Sequence, residues 1–296
     1  MLLLKLCLTS LFWAMLLFLG QAAIAGMSAT SVSAWRFLLA AAILVPLIHA
    51  REGIDWHGLR RHTIILVIMA FVGVGLFNLF LFHGIQGTSA VNASLIMGLC
   101  PIMITCLSAA LTGEHIQRRE VIGLALSVAG AVLVVSGGSL ESLLALQLQK
   151  GDLLVIAAAG CWALYSALPK RFITDLPSSQ ITAATVSMGA LMIGAYALLT
   201  QADFMRWPGL EVSSSILLMS IFGTVLVFLW WNDGVRQIGP RRAAPFMNIV
   251  PVFAVLIGLS LGQAITAAQV IGGLLVVSGV AASLTQQATR KAGPTS

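Results

Sequence analysis

Apolar residues run in blocks of about 20 along this chain, the length at which an α-helix crosses a hydrocarbon core of about 30 Å. Short polar breaks separate the blocks. The pattern predicts ten helical segments, over 4–24, 31–50, 64–83, 89–112, 120–138, 152–172, 180–200, 213–235, 241–262 and 267–285. The runs are continuous rather than alternating, which excludes the dyad repeat of a membrane β-barrel, whose strands span about ten residues. Nothing outside the runs is long enough to fold alone.

Displaced by about half its length, the chain matches itself. Gly84 falls on Gly234, Ala93 on Ala243 and Pro101 on Pro251. One residue then drops out, and Gly113/Gly262, Ile116/Ile265, Val121/Val270, Gly123/Gly272 and Gly130/Gly279 align, while Trp13 falls on Trp162. Each half holds five segments, an odd number, so the halves must cross a membrane in opposite directions. Secondary transporters use this arrangement to set one site between two inverted half-walls. The expected division is 1–139 and 152–286 for the repeats, 140–151 for the join and 287–296 for a cytoplasmic tail. Leu143, Leu144, Leu146 and Leu148 read as an interfacial or loop element of the join.

Composition agrees with a lipid environment. The chain is 59% hydrophobic and 9% charged, against about 25% charged in soluble domains, and its mean hydropathy is +0.99. The pI of about 9.6 invites a nucleic-acid reading, but loop parity explains the charge. Of the sixteen Lys and Arg residues, thirteen lie at the N-terminus, in the even-to-odd connections or at the C-terminus; Lys150 and Arg206 lie on the other side and Arg36 lies inside a segment. By the positive-inside rule both termini are cytoplasmic, in a multi-pass protein of the cell inner membrane, with the lipid bilayer as partner and no nucleic acid. Lys5, the apolar run from Leu6 to Leu19 and the triplet Ala23-Ile24-Ala25 imitate a cleavable leader. Retention is expected, because cleavage would remove the repeat partner of the Trp162 segment and break the charge parity.

Catalytic chemistry finds little support. The four cysteines, Cys7, Cys100, Cys106 and Cys161, all fall within segments and form no Cys-x-x-Cys, so they read as apolar filler. The histidines lack ligand partners at a metal-binding spacing, and no metal or cofactor is expected. There is no His-Glu-x-x-His, no intramembrane Asp pair and no phosphate loop, which argues against an enzyme and against ATP-driven transport within this chain.

The helix faces say more. Pro101 and Pro251 sit mid-segment, where each ring removes a backbone hydrogen bond and leaves the carbonyl of Met97 or Met247 without its usual partner. Gly123, Gly130 and Gly137 in segment five, and Gly272 and Gly279 in segment ten, form small-residue stripes. The two segments are expected to pack on each other or across a homodimer. Trp13, Leu17 and Gln21 share a face of segment one with Gly20; Trp162, Tyr165 and Ser166 share a face of segment six with Pro169. With Asn78 and Phe82 on segment three, Ser94 and Met97 on segment four, and Met247 and Asn248 on segment nine, these form an apolar lining with a few polar handles. The mixture suits a small amphipathic organic substrate. Trp35, Trp56, Trp207 and the Trp230-Trp231 pair read as interface anchors.

The run Gly87-Thr88-Ser89-Ala90, then Pro101, Gly113-Glu114, Gly123 and Gly130, resembles the EamA-type repeat of the drug/metabolite transporter superfamily, and the frame recurs at Pro251, Gly262-Gln263, Gly272 and Gly279. Trp35-Arg36-Phe37 is similar to the Arg-Phe usual in segment two. The resemblance covers nearly the whole chain. It implies an all-α membrane fold of ten helices, two inverted five-helix repeats around a central cavity, alternating access and an export direction. The superfamily includes YddG-type aromatic amino acid exporters and exporters of other small metabolites. Two departures stand out: Gln263 replaces the second-half Glu, and Thr185 stands where the repeat would place a second arginine.

Few ionisable groups lie inside the segments. Arg36 is either a structural anchor or a clamp for a substrate carboxylate. Asp233 and Arg236, three residues apart and able to pair, and their repeat counterparts His83 and Gln86 fall at opposite mouths and are the gating candidates. Glu114 is expected to pair with Arg118 or Arg119. The sequence therefore reads as a secondary exporter of small organic metabolites, foremost amino acids. A membrane structural or assembly subunit without transport, and a multidrug or other-metabolite facilitator, stay open.

Overall fold

The computed structural model describes residues 1–141 and 149–284. The leucines singled out in the join and the tail at 287–296 lie outside the described residues. Among the described residues ten helices are long and apolar enough to cross a bilayer: α1 Leu2–Ile24, α2 Ala29–Glu52, α3 Thr63–Gln86, α4 Val91–Thr112, α5 Arg118–Ser136, α6 Lys150–Phe172, α7 Ser178–Thr200, α8 Leu210–Ile238, α9 Pro240–Ser260 and α10 Ala267–Leu284. Polar caps set their ends. Ser28 and Ser89 each accept a backbone N–H at the start of α2 and α4, and Gln117/Glu120 and Gln149/Asp152 form capping boxes at α5 and α6. These bonds satisfy helix-end donors that lipid could not.

Inverted symmetry extends to the backbone. α3 and α8 each open into a π-helical stretch at equivalent places, Phe71–Leu76 and Ile221–Leu226. A glycine in each stretch takes a side chain of the opposite half: a Cβ on Gly73 would overlap the Tyr165 ring of α6, and one on Gly223 would overlap Leu16 of α1. Tyr165 and Leu16 are repeat-equivalent, so the two contacts are one contact made twice. In α3 the π geometry loosens the backbone ladder, and the Asn78 amide donates to the carbonyl of Val74 at 2.7 Å.

The glycine stripes of α5 and α10 face each other. A Cβ on Gly123 would lie 2.7 Å from the Gly279 carbonyl, and one on Gly130 would lie 2.5 Å from that of Gly272. Backbones that close gain dispersion contact along the whole crossing, which substitutes for a hydrophobic drive that lipid does not provide. The stripe is thus taken up within the chain. A homodimer through these helices would have to use their outer sides, which expose Val121, Ile122, Val270, Ile271 and Leu274.

Both proline sites interrupt their helices, in different ways. In the first half the α-helix breaks at Leu99, just before Cys100-Pro101. In the second, residues Ala244–Ile249 tighten into a 3₁₀ helix. Pro245 within that stretch and Pro251 just beyond it remove two donors of the α-helical ladder. The Met247 carbonyl is consequently not free: the Val250 N–H takes it.

Candidate functional site

Where the halves meet, aromatic rings fill the middle of the molecule. Trp13 of α1 and Trp162 of α6, related by the repeat, touch edge to face with centroids 5.6 Å apart. Trp162 also stacks on Tyr165 at 5.3 Å and meets Phe77, Phe228 and Trp231 at 5.4, 5.5 and 6.0 Å. Such offset and edge contacts add about 0.5–1.5 kcal/mol per pair beyond area burial, so the cluster holds α1, α3, α6 and α8 together. Trp162 is nevertheless incomplete, since its buried Nε1 has no hydrogen-bond partner among the described residues.

Beside this cluster runs a polar chain. The Thr185 hydroxyl donates to the Ile181 carbonyl at 2.8 Å and lies 3.3 Å from the Tyr165 hydroxyl. The amide nitrogen of Asn232 donates to the Tyr165 oxygen at 2.8 Å and to Thr182 Oγ1 at 2.7 Å. Asn232 is 4% exposed, and its Oδ1 has no partner among the described residues.

Asn232 also borders a vestibule of about 840 Å³ that enters from the end of the bundle carrying most of the basic residues. Both halves wall it: the α4–α5 connection comes from the first, and the ends of α6, α7, α8 and α9 from the second. At its rim Glu114 accepts from Lys170 at 2.7 and 2.8 Å and from Arg241 at 2.6 Å, and Arg241 reaches Glu120 at 3.5 Å. The hydrogen bond from Lys170, reinforced by the charges of Lys170, Arg241 and Arg242, holds the Glu114 carboxyl below the usual carboxylate range.

The opposite mouth is sealed by hydrogen bonds. Asp152, 2% exposed, accepts from the Thr88 hydroxyl, from Asn92 Nδ2 at 3.1 Å and from the Gln149 N–H at 2.8 Å. The Gly151 N–H donates to the Gly87 carbonyl at 3.0 Å. Asp203 accepts from the hydroxyls of Ser28 and Ser31 at 2.9 and 2.7 Å, and Trp35 Nε1 donates to the Phe204 carbonyl. Both oxygens of each carboxylate accept at least one hydrogen bond, so Asp152 and Asp203 tie neighbouring helices.

An EamA-like transporter family model matches the chain twice, at residues 1–136 and 149–285. The chain belongs to the EamA-like transporter family. It is a multi-pass membrane transporter. It is 34% identical over 255 residues to the uncharacterized transporter YyaM of Bacillus subtilis, covering 86% of this chain and 83% of that protein. A probable amino-acid metabolite efflux pump of Salmonella typhimurium shares 25% identity over 68% of this chain and 70% of its own length. A solved crystal structure, 23% identical, superposes with a TM-score of 0.80 over 95% of this chain and 96% of that one, a likeness of fold.

Against this geometry the sequence-predicted residues of the transporter separate. Trp13, Trp162, Tyr165 and Ser166 meet in the central cluster, where Ser166 accepts from Trp231 Nε1 at 3.2 Å. Met97 and Met247 pack against the same core, while Asn78 accepts from Arg36 Nη2 at 3.1 Å. Asn248 turns to α5, donating to Ser127 at 3.1 Å. Leu17, at 56%, is exposed, as are Gln21 and Ser94, and Phe82 is half-buried. None of these four borders the vestibule.

The gating candidates separate likewise. His83 is exposed and bonds the Leu79 carbonyl of its own helix, and Gln86 is exposed. Asp233 pairs with Lys5 at 3.1 Å rather than with Arg236, because the α1 N-terminus comes closer than the next helical turn. Arg236 lies on the vestibule wall. Glu114 likewise turns to Lys170 and Arg241 instead of Arg118 or Arg119. Trp231, read as an interface anchor, is fully buried. Asn232, Thr182 and the latch at Asp152 were missed. The available signal was repeat position: Asn232 occupies in α8 the place of Phe82 in α3, a polar residue exchanged for an aromatic one.

Proposed function

We propose that this transporter exports small organic metabolites, foremost amino acids or close relatives, by alternating access across the cell inner membrane, with both termini in the cytoplasm. One observation carries the reading. An open vestibule at the basic end leads to buried aromatic and polar groups, while hydrogen-bonded seams close the other end. With the basic end cytoplasmic, this is a chain ready to load from inside.

The lining supports an amphipathic solute. Aromatic faces offer apolar contact, and the Trp162 Nε1 donor and Asn232 Oδ1 acceptor lack partners among the described residues. Burying either without a partner costs on the order of 1–3 kcal/mol, which a ligand carrying the complementary group recovers. Arg36, bonded to Asn78 and without a carboxylate partner among the described residues, gives a cationic group on the far side of the cluster. The named activity of the Salmonella relative agrees with amino-acid efflux.

Counterflow of a panel of amino acids into proteoliposomes tests the proposal. Saturable exchange of at least one is expected. Trp162→Ala, which removes the central ring, should weaken apparent affinity about tenfold, whereas Trp207→Ala, at a ring that is 81% exposed, should change flux little. Absence of saturable exchange for every amino acid would defeat the amino-acid assignment.

A further inference from the structure

We infer that Asn232 is the subsite for the substrate's ammonium group, its Oδ1 accepting directly from the amine. This rests on the reading of the chain as an exporter of amino-acid-like solutes and goes further in naming which group is recognised, where, and by which atom.

The direction of every hydrogen bond around Asn232 is fixed by the backbone. Thr182 spends its hydroxyl hydrogen on the Ser178 carbonyl at 2.8 Å, and Thr185 spends its own on the Ile181 carbonyl at 2.8 Å. Carbonyls can only accept, so both threonine oxygens are left as acceptors. Tyr165, 3.3 Å from Thr185 Oγ1, must then donate to it, which leaves the phenol oxygen to accept as well. The Asn232 nitrogen faces two oxygens whose own hydrogens are committed elsewhere, Tyr165 Oη at 2.8 Å and Thr182 Oγ1 at 2.7 Å. Turning the amide over would set an acceptor against two acceptors. Oδ1 is therefore held as a buried acceptor with no donor among the described residues, in a residue that borders the vestibule.

The first half shows what such an oxygen takes. Asn78 of α3 is oriented by the same logic, its nitrogen committed to the Val74 carbonyl, and its Oδ1 receives the guanidinium of Arg36 at 3.1 Å. In the second half the position equivalent to Arg36 is Thr185, which turns to Tyr165 instead. α8 thus carries an oriented amide oxygen one turn away from the Asn78-equivalent position, and no cation among the described residues occupies it. A charged donor from the ligand fits: it brings the positive charge that Arg36 supplies in the other half. Phe228 and Trp162, in ring contact with Tyr165, set aromatic faces beside the polar chain, and ring faces also favour a cation.

The test uses ligands that differ only in the recognised group. Phenylalanine, 2-phenylethylamine and 3-phenylpropanoate are titrated against the purified full-length protein by quenching of its tryptophan fluorescence. The wild type should bind both amines at least about tenfold more tightly than 3-phenylpropanoate. Asn232→Leu, of similar volume, should weaken both amines about tenfold and leave 3-phenylpropanoate within about twofold. Asn232→Asp keeps an acceptor at the Oδ1 position, with the Tyr165 and Thr182 hydroxyls turning to donate to its second oxygen, so it should keep amine binding and lose 3-phenylpropanoate, and it decides the matter if the leucine variant does not fold. Equal loss for all three ligands in Asn232→Leu would make the residue merely structural and overturn the assignment. So would unchanged amine binding in that variant, amine binding lost in Asn232→Asp, or a wild type that binds neither amine. The export reading fails separately, if the wild type binds amines but exchanges no amino acid in proteoliposomes.

Discussion

The two mouths of the bundle are built from the same repeat and held in different ways. At the sealed mouth the start of α6 lies against the α3–α4 connection; at the basic mouth the equivalent start of α1 lies against the α8–α9 connection. One pair of contacts is shared: Gly84 receives Val155, and Gly234 receives the repeat-equivalent Leu6. The polar contacts are not. Asp152, with Thr88 and Asn92 bonded to it, corresponds to Leu3, Ile238 and Arg242, and the basic end has a void of about 410 Å³ at that place. Its ties are mostly ion pairs of part-exposed side chains, Lys5 with Asp233 and Glu114 with Lys170, beside the more buried Arg241, which reaches Glu114 and Glu120. Buried charge-assisted hydrogen bonds are stronger and less screened than exposed ion pairs. The half-sequences therefore bias the molecule toward opening at the basic end.

The largest expected effect comes from the closest backbone approach. A Cβ on Gly151 would overlap the carbonyl of Gly84 and the backbone of Gly87, neither of which can move aside alone, whereas a Cβ on Gly234 would lie 2.6 Å from Cδ2 of Leu6, the end of a movable side chain. Overpacking against rigid surroundings costs about 1–3 kcal/mol, so Gly151→Ala should depopulate the sealed state about tenfold or more. A cysteine at Ala93, buried one turn inside that mouth, should become reactive to an impermeant maleimide added outside. Gly234→Ala should change its labelling by less than about twofold. Equal responses would mean that the two mouths are held alike.

Next in size is Asp152→Asn. The amide presents N–H groups to donors from Thr88, Asn92 and Gln149, so at least one donor loses its acceptor. Labelling of the Ala93→Cys reporter should rise about fivefold, less than for Gly151→Ala because the steric fit of the seam survives. Unchanged labelling would show that packing alone closes the mouth.

How much of this was legible depends on the signal each feature leaves. Ten helices follow from hydrophobic length, which lipid imposes directly, and the α5–α10 seam follows from glycines spaced at seven. The vestibule did not follow, and α8 shows why. Its apolar run ends at 235 in the sequence, which puts Trp231 one turn from the membrane surface, where it reads as an anchor. The helix continues to Ile238, so Trp231 and Asn232 lie about two turns inside, and the last turn is polar because it borders water. The π-helical stretches are equally silent in sequence, since one extra residue per turn changes which side chains face inward without altering composition. The Asp152 latch was hidden for a similar reason: at a predicted helix start an aspartate reads as an ordinary cap, and only the fold brings Thr88 and Asn92 to it.

A smaller effect should come from building the missing latch. Leu3→Asp sets a carboxylate where the repeat places Asp152, beside Arg242 in the basic-end void. Thr88 has no counterpart hydroxyl there, since Ile238 occupies the position. Pairing near solvent contributes little, so counterflow should slow only about two- to threefold as the basic mouth stays closed longer. Leu3→Asp with Ile238→Thr should slow it further. Faster exchange in the double variant would mean that the void is unrelated to gating.

The smallest effect tests the ties that the basic mouth does have. The Glu114 carboxyl is depressed by Lys170 and Arg241, so its folded pKa lies below its unfolded one, near 4.3 for a free glutamate side chain by about a unit either way. A depressed acid contributes stability above the unfolded value and loses it as pH falls through the folded value. Because Glu114 is 44% exposed, solvent and salt screen most of the gain. Glu114→Gln should lower the melting temperature of the purified protein by only about 1–2 °C at neutral pH. The difference should shrink as the pH is taken below the ordinary carboxylate range and should also shrink in high salt at neutral pH. A difference that grows on acidification would reverse the sign and show that Glu114 is held protonated. The basic mouth would then be tied by a neutral hydrogen bond, and its contrast with the charged latch at Asp152 would be sharper than the ion pairs suggest.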